Sequence, residues 1–351
     1  METSLDQLRD HIVAANASKS PLRLRGAGTK DFYGESLRGE IVDTRGHSGI
    51  VNYEPSELVV VARCGTPLSE IERALDEHDQ LLPFEAPRFG GDPTIGGVIA
   101  AGLSGPRRAT AGSVRDFVLG AHLLNANGEL LRFGGQVMKN VAGFDVSRLL
   151  CGSLGILGLI AEVSLKVLPK PRAEKTVRFE MNAASALDWF NRWSAQPLPI
   201  SAGAWHNGIA YLRLSGATSA VSAAQVSLGG ETIDDVAAAS CWNSLRDQKL
   251  DLFSTSRLWR LSLPSTATFD MSGIALIEWA GAQRWLLSDR SAEDIRARAA
   301  DVGGTATLWH GERDTTMFHP LSEANLALHR RIKQQFDPNG IFNRGRLVAE
   351  L

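Results

Sequence analysis

Three glycine-rich segments in the first half of the chain constrain its fold more than any other feature. They are Leu22–Lys30, Pro93–Gly97 and Gly152–Gly158. Glycine lets the main chain approach an anion closely, and successive N–H groups in a tight turn form a concavity that can hold one. Three such turns in order therefore predict a domain that closes around one anionic cofactor.

The spacing within the first segment excludes two common nucleotide-binding motifs. The Rossmann fingerprint needs Gly-x-Gly-x-x-Gly at the start of a helix, but Asp31 stands at the third glycine position after Gly26 and Gly28. A phosphate-binding loop needs a glycine directly before its Lys-Ser/Thr pair, whereas Thr29 precedes Lys30. The segment therefore belongs to another class of anion-binding turn.

The composition is typical of a globular protein and argues against a polyanionic partner. The chain has 351 residues, 44% apolar and 22% charged, with a formal net charge of -2. This length favours two domains, and the small charge gives no general attraction to nucleic acid. The acidic N-terminus lacks a signal-like apolar segment, and the longest apolar runs are too short to span a membrane. We therefore expect a cytoplasmic protein with no transmembrane segment.

The cysteines argue against a second redox centre in this chain. Cys64, Cys151 and Cys241 are scattered and show no Cys-x-x-Cys spacing. An odd, dispersed set favours neither a disulfide framework nor an iron–sulfur cluster, and no metal-binding motif is present. We expect three reduced, buried thiols.

The hydrophobic pattern of the first half indicates a mixed α+β domain. Apolar periodicity predicts an opening helix, and a β-branched run predicts a buried strand, with Thr66 and Pro67 as the cap and first turn of the helix that follows. Asn127-Gly128 favours a hairpin, and an alternating run predicts a half-buried strand. The corresponding ranges are Ser4–Ala15, Leu58–Ala62, Leu68–His78, Phe117–Leu124 paired with Glu129–Phe133, and Ile160–Val167.

The second half of the chain differs from the first in its composition. All eight tryptophans lie between Trp189 and Trp309. Strands such as Ala210–Leu214 and Gly273–Glu278 alternate with helices at Ala183–Trp193 and Ala292–Ala300, which predicts an antiparallel sheet with helices on one face. A last helix is expected at Leu321–Phe336. We predict domain boundaries that give residues 1–172, 173–320 and 321–351.

The glycine segments, with two further motifs, resemble the vanillyl-alcohol-oxidase-like family of FAD-linked oxidases. The matching stretches are Arg25–Thr29, Thr94–Gly97, Lys139–Asp145, Gly152–Gly158 and Phe336–Arg346. The resemblance implies an α+β fold: a two-subdomain FAD-binding domain of the PCMH type, then a smaller cap domain of antiparallel sheet and helices. It also implies that the C-terminal tail returns to the FAD domain.

The resemblance further implies which residues bind FAD. The first loop and the Thr-Ile-Gly-Gly turn would hold the pyrophosphate through backbone N–H groups, with the Thr94 hydroxyl and the Lys30 charge assisting. Other positions would lie along the cofactor. The implied set is Gly26, Ala27, Gly28, Thr29, Lys30, Thr94, Ile95, Gly96, Gly97, Ser104, Gly105, Gly112, Ile160 and Asn343. Because Gly28–Asp31 and Gly91–Pro93 contain no histidine or cysteine, we expect noncovalent FAD.

The catalytic residues are less clearly indicated. The second half offers His206, His310 and His319, and three arginines that could bind a carboxylate, Arg257, Arg260 and Arg284. The catalytic members of the family carry a metal-like His motif and a Glu-His-Gly segment, and Trp309–Glu312 and Phe318–Pro320 reproduce neither. Among these residues His319 is the candidate for catalysis.

The short length and Phe318–Leu321 are most similar to the FAD-binding E subunits of bacterial glycolate oxidases. That similarity implies a subunit of a complex that oxidises glycolate to glyoxylate. Its partners would be a catalytic flavoprotein and an iron–sulfur subunit, through which it could associate peripherally with the cell membrane. Two alternatives stay open: a free-standing FAD-dependent 2-hydroxy acid oxidoreductase, and a non-catalytic assembly subunit.

Overall fold

The computed structural model describes residues 4–36, 38–135 and 145–351. In chain order, the helices are α1 (Leu5–Ser18), α2 (Leu68–Asp76), α3 (Ile95–Ala101), α4 (Arg108–Ala111), α5 (Val114–Phe117), α6 (Val146–Leu149), α7 (Ala183–Ser194), α8 (Thr218–Leu228), α9 (Asp235–Arg246), α10 (Ala292–Asp301) and α11 (Glu323–Phe336). The strands are β1 (Leu22–Arg25), β2 (Glu40–Asp43), β3 (Ile50–Glu54), β4 (Val59–Arg63), β5 (Gln80–Leu81), β6 (Val118–Leu124), β7 (Leu130–Gly134), β8 (Leu159–Lys166), β9 (Leu168–Pro169), β10 (Ala173–Glu180), β11 (Ile200–His206), β12 (Ile209–Gly216), β13 (Glu231–Ile233), β14 (Leu258–Ser262), β15 (Ile274–Glu278), β16 (Gln283–Leu287) and β17 (Thr305–His310).

The chain divides into two compact units. The first comprises Met1–Leu103, Ser113–Lys170 and Pro320–Leu351, and the second Ser104–Gly112 and Pro171–His319. The main division thus falls two residues before the boundary predicted at 172/173. The sequence pattern did not indicate that Ser104–Gly112 belongs to the second unit. There the Thr110 hydroxyl donates to the Ser201 carbonyl at 2.8 Å.

The five-stranded sheet of the first unit runs in the order β3-β4-β8-β6-β7, with antiparallel neighbours throughout. The predicted hairpin is confirmed, because β6 and β7 pair across a loop in which Gly128 has φ +79°. The prediction that the strand at Ile160–Val167 is only half buried is wrong. Its counterpart β8 lies between β4 and β6 and is buried at most positions, since both of its faces are covered.

Some details at the ends of helices and strands differ from the prediction, because local turns and hydrogen bonds fix them. The strand predicted from Leu58 begins at Val59, because Leu58 closes a short turn with φ +56°. Helix α2 has Pro67 at its N-cap with no side-chain cap. Thr66, expected to cap α2, instead accepts from the Gly49 N–H at 2.9 Å and donates to the Arg63 carbonyl at 2.7 Å.

Both ends of the chain pack into the core of the first unit. Helix α1 begins after a capping box between Ser4 and Gln7 and runs three residues beyond the predicted end at Ala15. The tail forms a parallel bridge from Phe342 to Leu22, and the Leu22 N–H donates to the Ile341 carbonyl at 2.7 Å. The predicted return of the tail is therefore present in the structure.

The second unit is built on an antiparallel sheet in the order β13-β10-β12-β11-β15-β16-β14-β17. One face carries the main apolar core, in which Val177 of β10 packs with Phe190 of α7 and Val221 of α8. On the other face the Trp242 indole of α9 donates to the hydroxyl of Thr176, which neighbours Val177 on β10, at 2.9 Å. The prediction of helices on one face only is therefore wrong.

No helix in the described ranges combines the length and the apolar character needed to cross a membrane.

Candidate cofactor site

A cleft in the first unit is formed by the three glycine-rich segments. It encloses about 800 Å³, including the open solvent at its mouth. The stretches of chain that meet there include the loop after β1, the start of α3, the turn before β8 and the tail after α11. The lining residues include Gly26, Ala27, Gly28, Thr29, Lys30, Thr94, Gly96, Gly97, Ile160 and Asn343, all predicted as cofactor-binding positions.

The first loop presents backbone amides and has little space for a side chain at its glycines. Among the residues that the structure describes, the N–H groups of Gly26, Ala27, Gly28 and Thr29 have no protein acceptor. A Cβ on Gly26 would overlap the Thr94 hydroxyl. This bare main chain can approach an anion closely.

Arginine side chains also contact the first loop, where only the charge of Lys30 was expected from the sequence. Asp31 accepts from Arg23 at 2.6 Å and from Arg25 at 2.8 Å. Arg346, from the tail, donates to the carbonyls of Lys30 at 3.1 Å and Asp31 at 2.8 Å. Arg23 and Arg25 thus share one carboxylate, and Arg346 lies against the backbone of the same loop. Arginine side chains at this loop suit a bound polyanion such as a pyrophosphate.

The second segment departs from the expected pattern of donors. The Ile95 N–H donates to the Thr66 carbonyl at 2.9 Å, and the Gly96 N–H donates to the Cys64 carbonyl at 2.8 Å. These two amides therefore hold α3 against the turn that follows β4, and the expectation that they face a phosphate is corrected. The Gly97 N–H has only a 3.4 Å bond to the Thr94 hydroxyl. Gly97 and Thr94 remain the polar groups of this turn that line the cleft.

Cys64 lines the cleft, but it is not poised to react. Its side chain is 2% exposed, and burial raises the pKa of the thiol to about 12. A Cβ on Gly96 would overlap the Cys64 side chain. Cys64 is therefore a neutral packing residue at physiological pH.

The third segment makes a left-handed turn that the tail closes. Leu154 and Gly155 have φ of +52° and +75°. Asn343 accepts from the Leu24 N–H at 2.7 Å and donates to the Leu154 carbonyl at 2.6 Å. The side chain predicted to contact the cofactor thus joins β1, the third segment and the tail into one wall.

Some predicted positions lie elsewhere. Ile95 is fully buried in α3, and its side chain does not line the cleft. Ser104, Gly105 and Gly112 belong to the second unit, where the Gly105 carbonyl accepts from the Trp279 indole at 3.0 Å. Most of the Lys139–Asp145 motif, residues 139–144, lies outside the described residues.

The candidate histidines have structural contacts. His319 Nδ1 accepts from the Ala306 N–H at the edge of β17, at 3.4 Å. Burial, with the nearby Arg296 charge, lowers the pKa of His319. His206 Nδ1 lies 2.8 Å from the Ala275 carbonyl, and burial lowers the pKa of His310. A catalytic role for His319 stays a prediction.

The candidate arginines also have protein partners. Arg284 is buried and donates to the carbonyls of Gly281, Ser265 and Ala267. Arg257 pairs with Asp314 at 3.1 Å, and Arg260 lies 4.8 Å from the centroid of the Trp309 ring. Each of the three guanidinium groups therefore has at least one contact within the second unit.

Family models match both halves of the chain. The model of the FAD binding domain matches residues 2–134, and the model of the C-terminal domain of FAD linked oxidases matches residues 277–347. The first match covers the first two glycine segments, and the second covers most of the C-terminal tail.

Individual relatives agree with these matches. The chain is 46% identical to glycolate oxidase subunit GlcE of Escherichia coli over 346 residues, 98% of this chain and 97% of that one. It is 31% identical to glycolate oxidase subunit GlcD of Bacillus subtilis over 174 residues, 49% of this chain and 37% of that one.

The fold matches solved structures of alkyldihydroxyacetonephosphate synthase. Two of them align with TM-scores of 0.66 and 0.65 at 15% identity, covering 96% of this chain and 75% of theirs. Together with the family models, this likeness confirms the predicted two-part fold of FAD-binding domain and C-terminal domain.

Proposed function

Because this chain belongs to the family of FAD-linked oxidases, we propose that it is the FAD-binding subunit of a complex that oxidises glycolate to glyoxylate. The observation that carries the proposal is the 46% identity, over nearly the whole length of both chains, to a protein named as a glycolate oxidase subunit. The chain would act as part of an oxidoreductase on CH–OH groups, with 2-hydroxy acids as the substrate class.

The cleft of the first unit fits the cofactor of this family. Unpaired amides in the Gly26–Thr29 loop, glycines with no space for a Cβ, and the lysine and arginine residues that line the cleft suit a dinucleotide pyrophosphate. When bound, FAD supplies the two-electron acceptor that oxidation of an alcohol to a carbonyl requires. The residues of this chain would bind and orient the cofactor. The loop amides and Arg25 would contact the pyrophosphate, and Thr94 would offer a hydroxyl.

We expect the flavin to be held without a covalent bond. A tether needs a nucleophilic side chain, and the raised pKa of Cys64 keeps this thiol protonated in the cleft. The stretches Gly28–Asp31 and Gly91–Pro93 contain neither histidine nor cysteine. Acid precipitation should therefore release all of the flavin.

The proposal includes two partner subunits, a catalytic flavoprotein and an iron–sulfur protein. Support comes from the relative's name as a subunit and from the three dispersed cysteines, since an iron–sulfur cluster is generally held by four cysteines. The structural contacts of His206, Arg257 and Arg284 also favour a substrate site completed by a partner. We place the complex in the cytoplasm, with any membrane association made through the partners.

The test compares the isolated chain with the assembled complex. Visible absorption is recorded before and after anaerobic addition of glycolate. We expect a flavin spectrum in the isolated chain that glycolate leaves unchanged, and bleaching when the partner subunits are present. Bleaching of the isolated chain would make it a self-sufficient oxidoreductase, and a chain without flavin would be an assembly subunit; either result would overturn the proposal.

A further inference from the structure

We propose that Lys333 is a positioning residue that holds the third glycine segment and the C-terminal tail in the shape that binds FAD. The inference rests on the FAD-binding function proposed above and assigns a role to a buried cation that the sequence analysis did not consider. Lys333 lies near the end of α11 and is 6% exposed. It is the residue of α11 that the fold buries most completely.

Three oxygens surround the Lys333 ammonium group. Lys333 Nζ donates to the Ile156 carbonyl at 2.6 Å, to Asp337 Oδ2 at 2.6 Å and to the Phe342 carbonyl at 3.0 Å. An ammonium group has three N–H donors, so all of them are used. One side chain therefore joins three stretches of the first unit: the third glycine segment, the end of α11 and the tail.

Asp337 makes this burial possible. Its two carboxylate oxygens also accept from the N–H groups of Ile341 at 2.9 Å and Phe342 at 2.8 Å. The lysine charge is thus neutralised by a group that itself shapes the turn into the tail. A buried ion pair needs such additional bonds, and removing one partner leaves the other as an uncompensated charge.

The third segment needs an external hold because its backbone is strained. Leu154 has φ +52°, a conformation that costs a non-glycine residue free energy, and Gly155 follows at +75°. From one side, the Leu154 N–H donates to the Ala100 carbonyl of α3 at 2.8 Å. From the other side, Asn343 binds the Leu154 carbonyl and Lys333 binds the Ile156 carbonyl.

The residues held in this way form part of the wall of the cleft. Leu154, Gly155 and Asn343 all line it, and Asn343 directly follows Phe342, whose carbonyl Lys333 binds. Loss of the lysine would free both the Ile156 and the Phe342 carbonyls. The third glycine segment and the tail would then each lose a hydrogen bond that fixes the wall, although Lys333 itself does not line the cleft.

The test measures FAD affinity rather than turnover. Apo-protein is prepared for the wild type, for Lys333→Met and for a matched control, Arg330→Met, which removes an exposed cation from the same helix. Circular dichroism first identifies a temperature at which all three are folded. Flavin fluorescence titration then gives the Kd for FAD, and the absorption spectrum reports the environment of the bound flavin.

We expect Lys333→Met to raise the Kd at least tenfold and to alter the flavin spectrum, with Arg330→Met within twofold of wild type. A merely structural role would lower the melting temperature but leave the Kd of the folded protein unchanged. A folded Lys333→Met protein with wild-type Kd overturns the inference. Failure of the wild type itself to bind FAD would instead overturn the proposed function.

A second measurement applies if Lys333→Met does not fold. Hydrogen exchange of the wild type is followed with and without FAD. We expect FAD to slow exchange of the amides at 154–158 and 341–346 together, because one side chain holds both stretches. Protection of neither stretch, or of one alone, would overturn the inference.

Discussion

At Gly28 two independent constraints oppose a side chain. The residue has φ +74°, which L-residues rarely adopt, and a Cβ there would overlap the Arg25 guanidinium group. Arg25 in turn is fixed by Asp31, at 2.8 Å. The glycine thus maintains both the loop conformation and the position of a cation beside the cleft.

Gly28→Val is expected to abolish FAD binding. Valine at positive φ costs about 1–3 kcal/mol, and its branched Cβ displaces Arg25 and fills the approach to the loop amides. Gly90→Val is the control, because Gly90 also has positive φ, +75°, but a Cβ there meets nothing within 4 Å. Flavin content after gel filtration should fall to background in the first variant and stay at the wild-type level in the second. Equal retention in both would refute the assigned role of Gly28.

At the scale of secondary-structure elements, the register of β15 and β16 produces a buried carboxyl group in the second unit. Glu278 pairs opposite Gln283, and its Oε2 accepts from Gln283 at 2.8 Å and from the Trp285 indole at 2.7 Å. Burial raises the pKa of Glu278, an effect that these two donors and the Arg260 charge offset only in part. The antiparallel pairing, rather than any local motif, assembles this group.

Glu278→Gln should change how stability depends on pH. Since the pKa is higher in the folded than in the unfolded chain, the carboxyl stabilises the fold at acidic pH, and this contribution is lost as pH rises through the folded value. Glutamine keeps an oxygen for both donors and cannot ionise. Urea unfolding followed by tryptophan fluorescence should therefore show a gain in the free energy of unfolding at pH 8 that shrinks towards pH 5. Glu180→Gln, an exposed acid of the same sheet, is the control, and a parallel pH profile for Glu278→Gln and wild type would contradict the expectation.

At the scale of the whole molecule, the ends of the chain meet in one core. Ile341 and Phe342 are fully buried with Leu22 and with Ile12 of α1. The tail that carries Asn343 and Arg346 is therefore fixed by apolar burial as well as by hydrogen bonds. Completion of the cofactor cleft depends on residues more than 300 positions apart.

Phe342→Ala is expected to lower the free energy of unfolding of the first unit by about 3–5 kcal/mol, because the cavity forms in a closely packed core. Flavin release during thermal unfolding reports this unit. All eight tryptophans lie in the second unit, so their fluorescence reports that unit separately. A change below about 1 kcal/mol would show that the core repacks around the deletion.

Local pattern was sufficient where the physical cause is local. The hairpin β6–β7 follows from Asn127-Gly128, helix α1 from its apolar periodicity, and the first loop from its closely spaced glycines. The two-part FAD-binding fold followed from the resemblance of the glycine segments, together with the motifs at 139–145 and 336–346, to the FAD-linked oxidases. The hairpin, the helix and the glycine loop are each decided by residues within a few positions of one another.

Long-range contacts decided the rest. The central position of β8 depends on which strands flank it, and the amides of Ile95 and Gly96 depend on carbonyls some thirty residues earlier. The roles of Arg346 and Lys333 emerge only when the tail returns to the first unit. By itself, the sequence determined the chemistry of the cofactor loops, because glycine conformation is a local property. Only the tertiary structure decided which side chains hold those loops, because hydrogen bonds and ion pairs form between whatever groups the fold brings together.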